Sequence, residues 1–374
     1  MMIKICNAKL FRNGSFQKGG IVFDEKIRAL GPVSPEGGLD ADGCWLLPGL
    51  VDIHTHAAVG ADASDGNLAG LAALSRYYAG RGVTAWCATT MTLSEPVLRR
   101  AMEAVQHFCR PLGGARLAGV HLEGPFLSPA KKGAQAADSL RTPDIGLFHR
   151  LNEASGGAVR MVTVAPELPG AMDFIREVSG VCAVSLGHTG ADYDNAMAAY
   201  GAGASHTTHL FNAMPPFHHR SPGVIGAAFD AGASAELICD GIHCHPAAVR
   251  MAFRLFAGRL ALVSDSMRCA GLTDGAYTLG GQDVTVKDGR ATLKGTDTLA
   301  GSSIHLLDGL RNAVAFGVPL EEAAAAATSV PARIAGLDRW AGSLAVGRMA
   351  DLLLLDRDLG VKRVYAGGQL VEKL

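Results

Sequence analysis

Trp45-Leu46-Leu47-Pro48-Gly49-Leu50-Val51-Asp52-Ile53-His54-Thr55-His56 is an apolar run that ends in two histidines one residue apart. Side chains on a strand alternate with a period of two, so residues i and i+2 point to one face. His54 and His56 can therefore close on one metal ion at the end of a strand. Paired histidines also occur at ordinary polar strand ends. Recurrence separates the two readings, because ligand-type residues cap nearly every later apolar run of this chain.

Outward from that stretch, short apolar, β-branched runs alternate with amphipathic segments. The strands expected are Leu50–His54, Val83–Thr90, Leu117–Glu123, Val159–Ala165, Cys182–His188, Ser205–Phe211, Glu236–Ile242 and Leu260–Asp265. Periodicity and capping predict helices over Leu68–Ala79, Ser94–Arg110, Asp192–Tyr200, Pro246–Ala257, Ser302–Phe316 and Leu320–Ile334. Alternation of this kind implies parallel strands with right-handed crossovers, and eight units of roughly 25–30 residues suit a (β/α)8, TIM-like barrel. The two ends differ. Residues 1–47 and 343–374 carry short alternating runs, with Asn13-Gly14 and Gly367-Gly368 as hairpin signals. They are expected to form one small β-sandwich domain built from both termini, leaving 48–342 as the catalytic barrel. Asp288-Gly289 marks a β-hairpin inserted over 277–294, after the eighth strand.

With 374 residues, 48% hydrophobic and 18% charged, the chain has ample material for a buried core. A net charge of −1 gives no electrostatic reason to bind nucleic acid or an anionic membrane, so an anionic substrate must be held by a few placed basic groups. Met1–Cys6 lacks the basic and long apolar regions of a signal peptide, and no run approaches the roughly 18 apolar residues of a membrane span. The eight cysteines are scattered without a CxxC and read as small buried hydrophobes in a reducing cytoplasm.

Chemistry in such a barrel sits at the carboxyl ends of the strands. Those ends supply His54, His56, Glu123, His188, His209, His243 and Asp265. A lone strand-end histidine is more often a satisfied polar residue than a ligand. Five imidazoles and two carboxylates at one topological place reverse that preference. Histidine and carboxylate donors without thiolate suit Zn²⁺, Fe²⁺, Mn²⁺ or Co²⁺, and an open coordination position brings the pKa of water towards roughly 7. The reading is a metal-dependent hydrolase.

The words His121-Leu122-Glu123-Gly124-Pro125-Phe126, Lys131-Lys132-Gly133-Ala134, Gly187-His188-Thr189, Thr208-His209-Leu210-Phe211-Asn212-Ala213-Met214, Asp240-Gly241-Ile242-His243 and Ser264-Asp265 occur in that order. Thr298-Leu299-Ala300-Gly301-Ser302 and Gly347-Arg348-Met349-Ala350-Asp351 follow them. Together they closely resemble the N-acetylglucosamine-6-phosphate deacetylases of the amidohydrolase superfamily, over essentially the whole chain. The resemblance implies hydrolysis of the acetamide of N-acetylglucosamine 6-phosphate, with the N-acetylgalactosamine epimer or another N-acyl amide as the alternative. It implies that Glu123, His188 and His209 hold the principal metal, and that His54 and His56 complete a second site with Glu123 between the ions. One or two ions per chain follow, zinc first and iron, manganese or cobalt as alternatives. Asp265 becomes the general base and then the general acid. Substrate contacts fall on Ala134, Gln135, Asn212, Ala213, Arg220 and His243, and on the backbone of Leu299, Ala300 and Gly301. A homodimer is implied, in which Arg220 reaches the neighbouring subunit's phosphate. In one departure, many members carry a histidine where this chain has Gln135, whose amide can still donate a neutral hydrogen bond to the acetyl oxygen.

His107 and His149 fall in helical segments and are expected to face solvent. His121 either orients Glu123 or simply packs. His218 and His219 flank Arg220 on a proline-rich loop, His245 and His305 have no assigned role, and Asp62 and Asp65 read as turn and cap residues.

Overall fold

A computed structural model describes residues 2–372; expectations that touch Met1 and residues 373–374 lie outside the described residues. Eight parallel strands form one sheet in chain order: β1 Leu50–Thr55, β2 Val83–Thr90, β3 Arg116–Glu123, β4 Val159–Val164, β5 Ala183–Leu186, β6 His206–Thr207, β7 Ser234–Ile238 and β8 Leu260–Val263. The seam between β8 and β1 is closed differently. Asp265 N donates to His54 O at 2.9 Å, and Ser264 N donates to the Asp52 carboxylate at 3.3 Å. The helix Ser329–Ile334 packs against both strands. Alternate residues sort into two cores, as the strand period requires. Trp86, Ala88, Val162 and Leu237 pack with the helices, whereas Ala85, Cys87, Met161, Ile238 and Val263 join a cluster completed by Val330, Ala332 and Leu337.

Strands β5 to β8 stop two to four residues earlier than the apolar runs suggest. For β5, β6 and β8 the cause is the backbone at the rim, where His188, His209 and Asp265 take φ of 47°, 25° and 46°. These left-handed conformations are disfavoured for residues with a Cβ and cannot continue a β-ladder. Gly187 serves the same turn. A Cβ there would sit 2.6 Å from Thr208 Cβ, so only glycine lets β5 and β6 approach this closely.

Other boundaries shift for local reasons. The helix expected over Ser94–Arg110 spans Glu95–His107, and that expected from Ser302 begins at Leu306. Leu320–Ile334 is two helices, Leu320–Ala326 and Ser329–Ile334, since the Pro331 ring would clash with the Ala327 carbonyl in a continuous one. The insertion is a three-stranded antiparallel sheet (Gly275–Leu279, Gln282–Lys287, Arg290–Leu293) rather than a hairpin.

Strands from both ends of the chain form the second eight-stranded sheet, running from Gln369–Leu370 at one edge to Ile27–Gly31 at the other. Phe23 and Tyr365 lie four strands apart in it, about 19 Å on a flat sheet. Their ring centroids are 4.9 Å apart. The sheet therefore folds over its own core of Ile5, Leu10, Ile21, Phe23, Leu46 and Leu352, making a sandwich from one sheet. Asn13-Gly14, Asp288-Gly289 and Gly367-Gly368 all take positive φ, as primed hairpin turns demand.

Candidate active site

One cluster occupies the barrel rim. Glu123 ends β3 and is 2% exposed. Its Oε1 lies 3.0 Å from His209 Nε2, 3.2 Å from His188 Nε2 and 3.4 Å from His54 Nε2, while Oε2 lies 3.2 Å from His56 Nε2. From the end of β8, Asp265 Oδ1 stands 3.2 Å from His56 Nε2 and 3.6 Å from His54 Nε2. Two donor groups thus share Glu123, one with His188 and His209 and one with His54 and His56. In each, the ligand atoms lie within 4.8 Å of one another.

The far ring nitrogens show what the cluster suits. His188 Nδ1 meets the Lys131 carbonyl at 2.9 Å, His56 Nδ1 the Thr89 carbonyl at 3.2 Å and His54 Nδ1 a Glu236 carboxylate oxygen at 2.8 Å. Each of these oxygens calls for a donor, which puts the proton on Nδ1 and leaves an Nε2 lone pair facing the rim, the state that binds a metal. His188 Nε2 and His209 Nε2 are 3.1 Å apart, a separation at which two bare lone pairs repel unless a positive charge lies beside them. Burial alone would lift the Glu123 carboxyl, but His54, His188 and His209 outweigh it and hold the group well below the usual range. Burial alone would lower the His56 imidazole, yet Asp265 and Glu123 raise it to about 9. The His56 shift reports carboxylates that favour positive charge beside it, and the donor set fits a divalent cation.

The cluster floors a cavity of about 240 Å³, lined further by Ala134, Gln135, Asn212, Ala213, His243, Leu299 and Gly301. Two expected contacts are not on its walls. Ala300 is fully buried and packs with Met267 and Val284, because its side chain turns away from the one face that Leu299 and Gly301 present. Arg220 is exposed on the loop after Pro215-Pro216, its guanidinium 2.9 Å from His219 Nε2. Gln135 is tied at both ends of its amide: Oε1 accepts the Thr92 N–H at 2.7 Å and Nε2 donates to Glu123 Oε2 at 2.7 Å. A backbone N–H can only donate, so Thr92 fixes the orientation of that amide. Its second N–H remains for the cavity. His243 Nδ1 donates to Asp240 Oδ2 at 2.6 Å, and that carboxylate outweighs burial to raise the imidazole pKa.

His121 does not orient Glu123. Two residues earlier on β3 is one layer down, roughly 6.6 Å, and there His121 Nε2 meets Thr163 Oγ1 at 2.7 Å. His107, His149, His218 and His219 are exposed, Asp62 and Asp65 form a capping box, and His245 and His305 cap the helices Pro246–Leu255 and Leu306–Ala315. Sequence reasoning passed over Glu236 and Asp240. For Glu236 a signal existed: a carboxylate inside an apolar strand must find a partner.

A (β/α)8 barrel that gathers buried imidazoles and carboxylates at its strand ends, around a small cavity, has the build of a metal-type hydrolase. The chain belongs to the amidohydrolase family, which matches residues 45–371. It is 40% identical over 333 residues to the N-acetylglucosamine-6-phosphate deacetylase of Bacillus subtilis (strain 168), covering 87% of this chain and 84% of that one. It is 35% identical to the N-acetylgalactosamine-6-phosphate deacetylase of Escherichia coli O157:H7 over 93% of each chain. A solved structure of N-acetyl-D-glucosamine-6-phosphate deacetylase from Mycobacterium smegmatis, a variant in complex with N-acetyl-D-glucosamine-6-phosphate, matches with a TM-score of 0.93 and 34% identity over 99% of both chains. No described helix is long and apolar enough to cross a membrane.

Proposed function

We propose that this chain is a cytoplasmic, metal-dependent deacetylase that hydrolyses the acetamide of N-acetylglucosamine 6-phosphate to glucosamine 6-phosphate and acetate. The observation that carries the reading is the set of imidazoles whose far nitrogens are tied to oxygen acceptors while their Nε2 atoms turn with Glu123 towards one cavity, opposite Asp265. The names of the relatives point to a phosphorylated N-acetylhexosamine. The glucosamine epimer is preferred because the B. subtilis relative is the more similar of the two named above, and the galactosamine epimer is the alternative.

Glu123, His188 and His209 would hold the principal cation, and His54 and His56, with Glu123 between, a second. Zinc suits this donor set first, with iron, manganese and cobalt sharing its preferences. A bound divalent cation supplies Lewis acidity, acidifying the attacking water and polarising the acetyl carbonyl. Asp265 takes the proton of that water and delivers it to the leaving amine. Burial would raise its carboxyl, but His54 and His56 hold it below the ordinary range, so it is ionised and ready to accept. Its backbone is pinned on both sides, its N–H donating to His54 O and its carbonyl accepting from Ser302 N at 2.7 Å. The free N–H of Gln135 meets the acetyl oxygen as charge develops there. His243, held at Nδ1 by Asp240, meets the sugar phosphate together with Asn212 and Ala213, while Leu299 and Gly301 line the sugar. We read Arg220 as reaching the phosphate in the partner subunit's cavity of a twofold homodimer.

Acetate release from the 6-phosphates of N-acetylglucosamine and N-acetylgalactosamine, and from unphosphorylated N-acetylglucosamine, tests the reading. The first should give the highest kcat/KM, and loss of the phosphate should cost at least about 10²-fold, the scale of two charge-assisted contacts. Equal turnover of all three would sink it.

A further inference from the structure

One buried carboxylate beneath the rim has no part in the reaction described above. Glu236, on β7, is fully buried. Its Oε2 lies 2.8 Å from His54 Nδ1 and 3.2 Å from the His209 backbone nitrogen, and its Oε1 lies 3.2 Å from His206 Nε2. The other nitrogen of His206 is held by Ser234 Oγ at 2.7 Å. A charge taken this far from water is costly unless it is paired and hydrogen-bonded. Here the pairing falls on a histidine whose opposite nitrogen faces the rim.

The four rim imidazoles are not backed alike. His56 and His188 lean on neutral backbone carbonyls, and His209 Nδ1 is buried without a partner. His54 alone has a full negative charge behind it. A charged acceptor holds an imidazole N–H more strongly than a carbonyl does, and it raises the basicity of the opposite nitrogen as a ligand. Glu236 touches His209 only through the backbone, so the ring of His209 gains little from it. We propose that Glu236 is a positioning residue that sets the metal affinity of the His54–His56 half of the cluster and leaves the Glu123–His188–His209 half largely unaffected. The inference rests on the reading of His54 and His56 as a second metal site.

Glu236→Gln keeps the side chain's size and one acceptor oxygen while it removes the charge. Metal-stripped wild type and variant are dialysed to equilibrium against Zn²⁺, and separately Co²⁺, at buffered free concentrations, and ions per chain are counted. The variant should bind the second ion about 10- to 100-fold more weakly, the scale on which such backing residues act, and the first with unchanged affinity. Unchanged affinity for both ions overturns the inference, and so does an equal loss of both, which would make Glu236 a general scaffold residue. A wild-type chain that saturates at one ion overturns the two-ion reading and this inference with it, whereas two ions indifferent to Glu236 overturn the inference alone. Should the variant not fold, ¹⁵N NMR of the histidine-labelled, zinc-loaded wild type decides: His54 should bind through Nε2 and keep a proton on Nδ1, and a metal on Nδ1 would overturn the proposal.

Discussion

At the floor of the cavity, His54, His56, Glu123, His188 and His209 come from the ends of four barrel strands and are at most 6% exposed. Oxygens of Glu236, Thr89 and Lys131 hold three of the four imidazoles by their far nitrogens, and Glu123 meets the fourth, His209, at its Nε2. Outside the cavity lining, on the side where the substrate's phosphate is proposed to bind, the segment from Pro216 to Arg220 is exposed, and the Arg220 guanidinium meets its neighbour His219. The described residues that line the cavity include no lysine or arginine. The floor is thus finished by one chain, with charges placed and directed. The mouth leaves a phosphate dianion with His243 and dipoles, although Arg220 is built into the loop nearby in sequence. With Arg220 reaching across as proposed above, the chemistry would belong to one chain and the substrate grip to two.

The largest effect should come from the floor. Asp265→Asn removes the proton acceptor while keeping its shape, so kcat should fall by about 10²- to 10⁴-fold with the principal ion still bound. Elemental analysis that finds the site empty would make Asp265 a ligand and dissolve the division of labour on the floor. Arg220→Ala comes next. KM for the phosphorylated sugar should rise about 10- to 150-fold, the scale of a lost charge-assisted hydrogen bond, with little change for the unphosphorylated sugar. Mixing that variant with Asp265→Asn and letting subunits exchange separates the two arrangements of Arg220. Acting across the interface, Arg220 leaves each mixed dimer with one intact site, and random pairing restores about a quarter of wild-type activity. Acting within its own chain, it leaves every site damaged and nothing returns. A smaller loss follows from His54→Asn with His56→Asn, which should lower bound metal from two ions per chain to about one while turnover persists, since one ion suffices to activate water. Loss of both ions would show the floor to be one indivisible unit.

The same contrast decides how much was legible in the sequence. The barrel was legible because eight apolar runs recur with helical segments between them, and the floor because a ligand-type residue follows so many of those runs. Strand ends were not, because His188, His209 and Asp265 turn the chain into left-handed conformations within runs that remain apolar. The anchoring of Gln135 and the backing of His54 by Glu236 were hidden for a different reason. Each depends on a partner far along the chain, Thr92 and Glu123 for the one and His54 for the other, and no local period reports such contacts. Ala300 packs its side chain away from a cavity that its neighbours on both sides line, which leaves its backbone for the implied contact, and only packing shows which side chain turns away. The mouth was legible only as a motif. Its geometry in one chain leaves Arg220 outside the cavity, a fact that no residue spacing contains.

The smallest effect tests whether the mouth is as loosely built as it looks. His219 is exposed, and its Nε2 accepts from the Arg220 guanidinium at 2.9 Å. One exposed hydrogen bond of this kind orients a long side chain without contributing much to the fold, because both groups stay hydrated when it breaks. His219→Ala should therefore leave the melting temperature unchanged and raise KM for the phosphorylated sugar only about two- to threefold, by freeing Arg220 to sample other rotamers. Activity against the unphosphorylated sugar should not move. A loss as large as that of Arg220→Ala would mean that His219 itself holds phosphate, and the mouth would then be a built site like the floor. A lower melting temperature would place His219 in a packed interface, which in a twofold dimer is where a loop reaching the partner's cavity would lie.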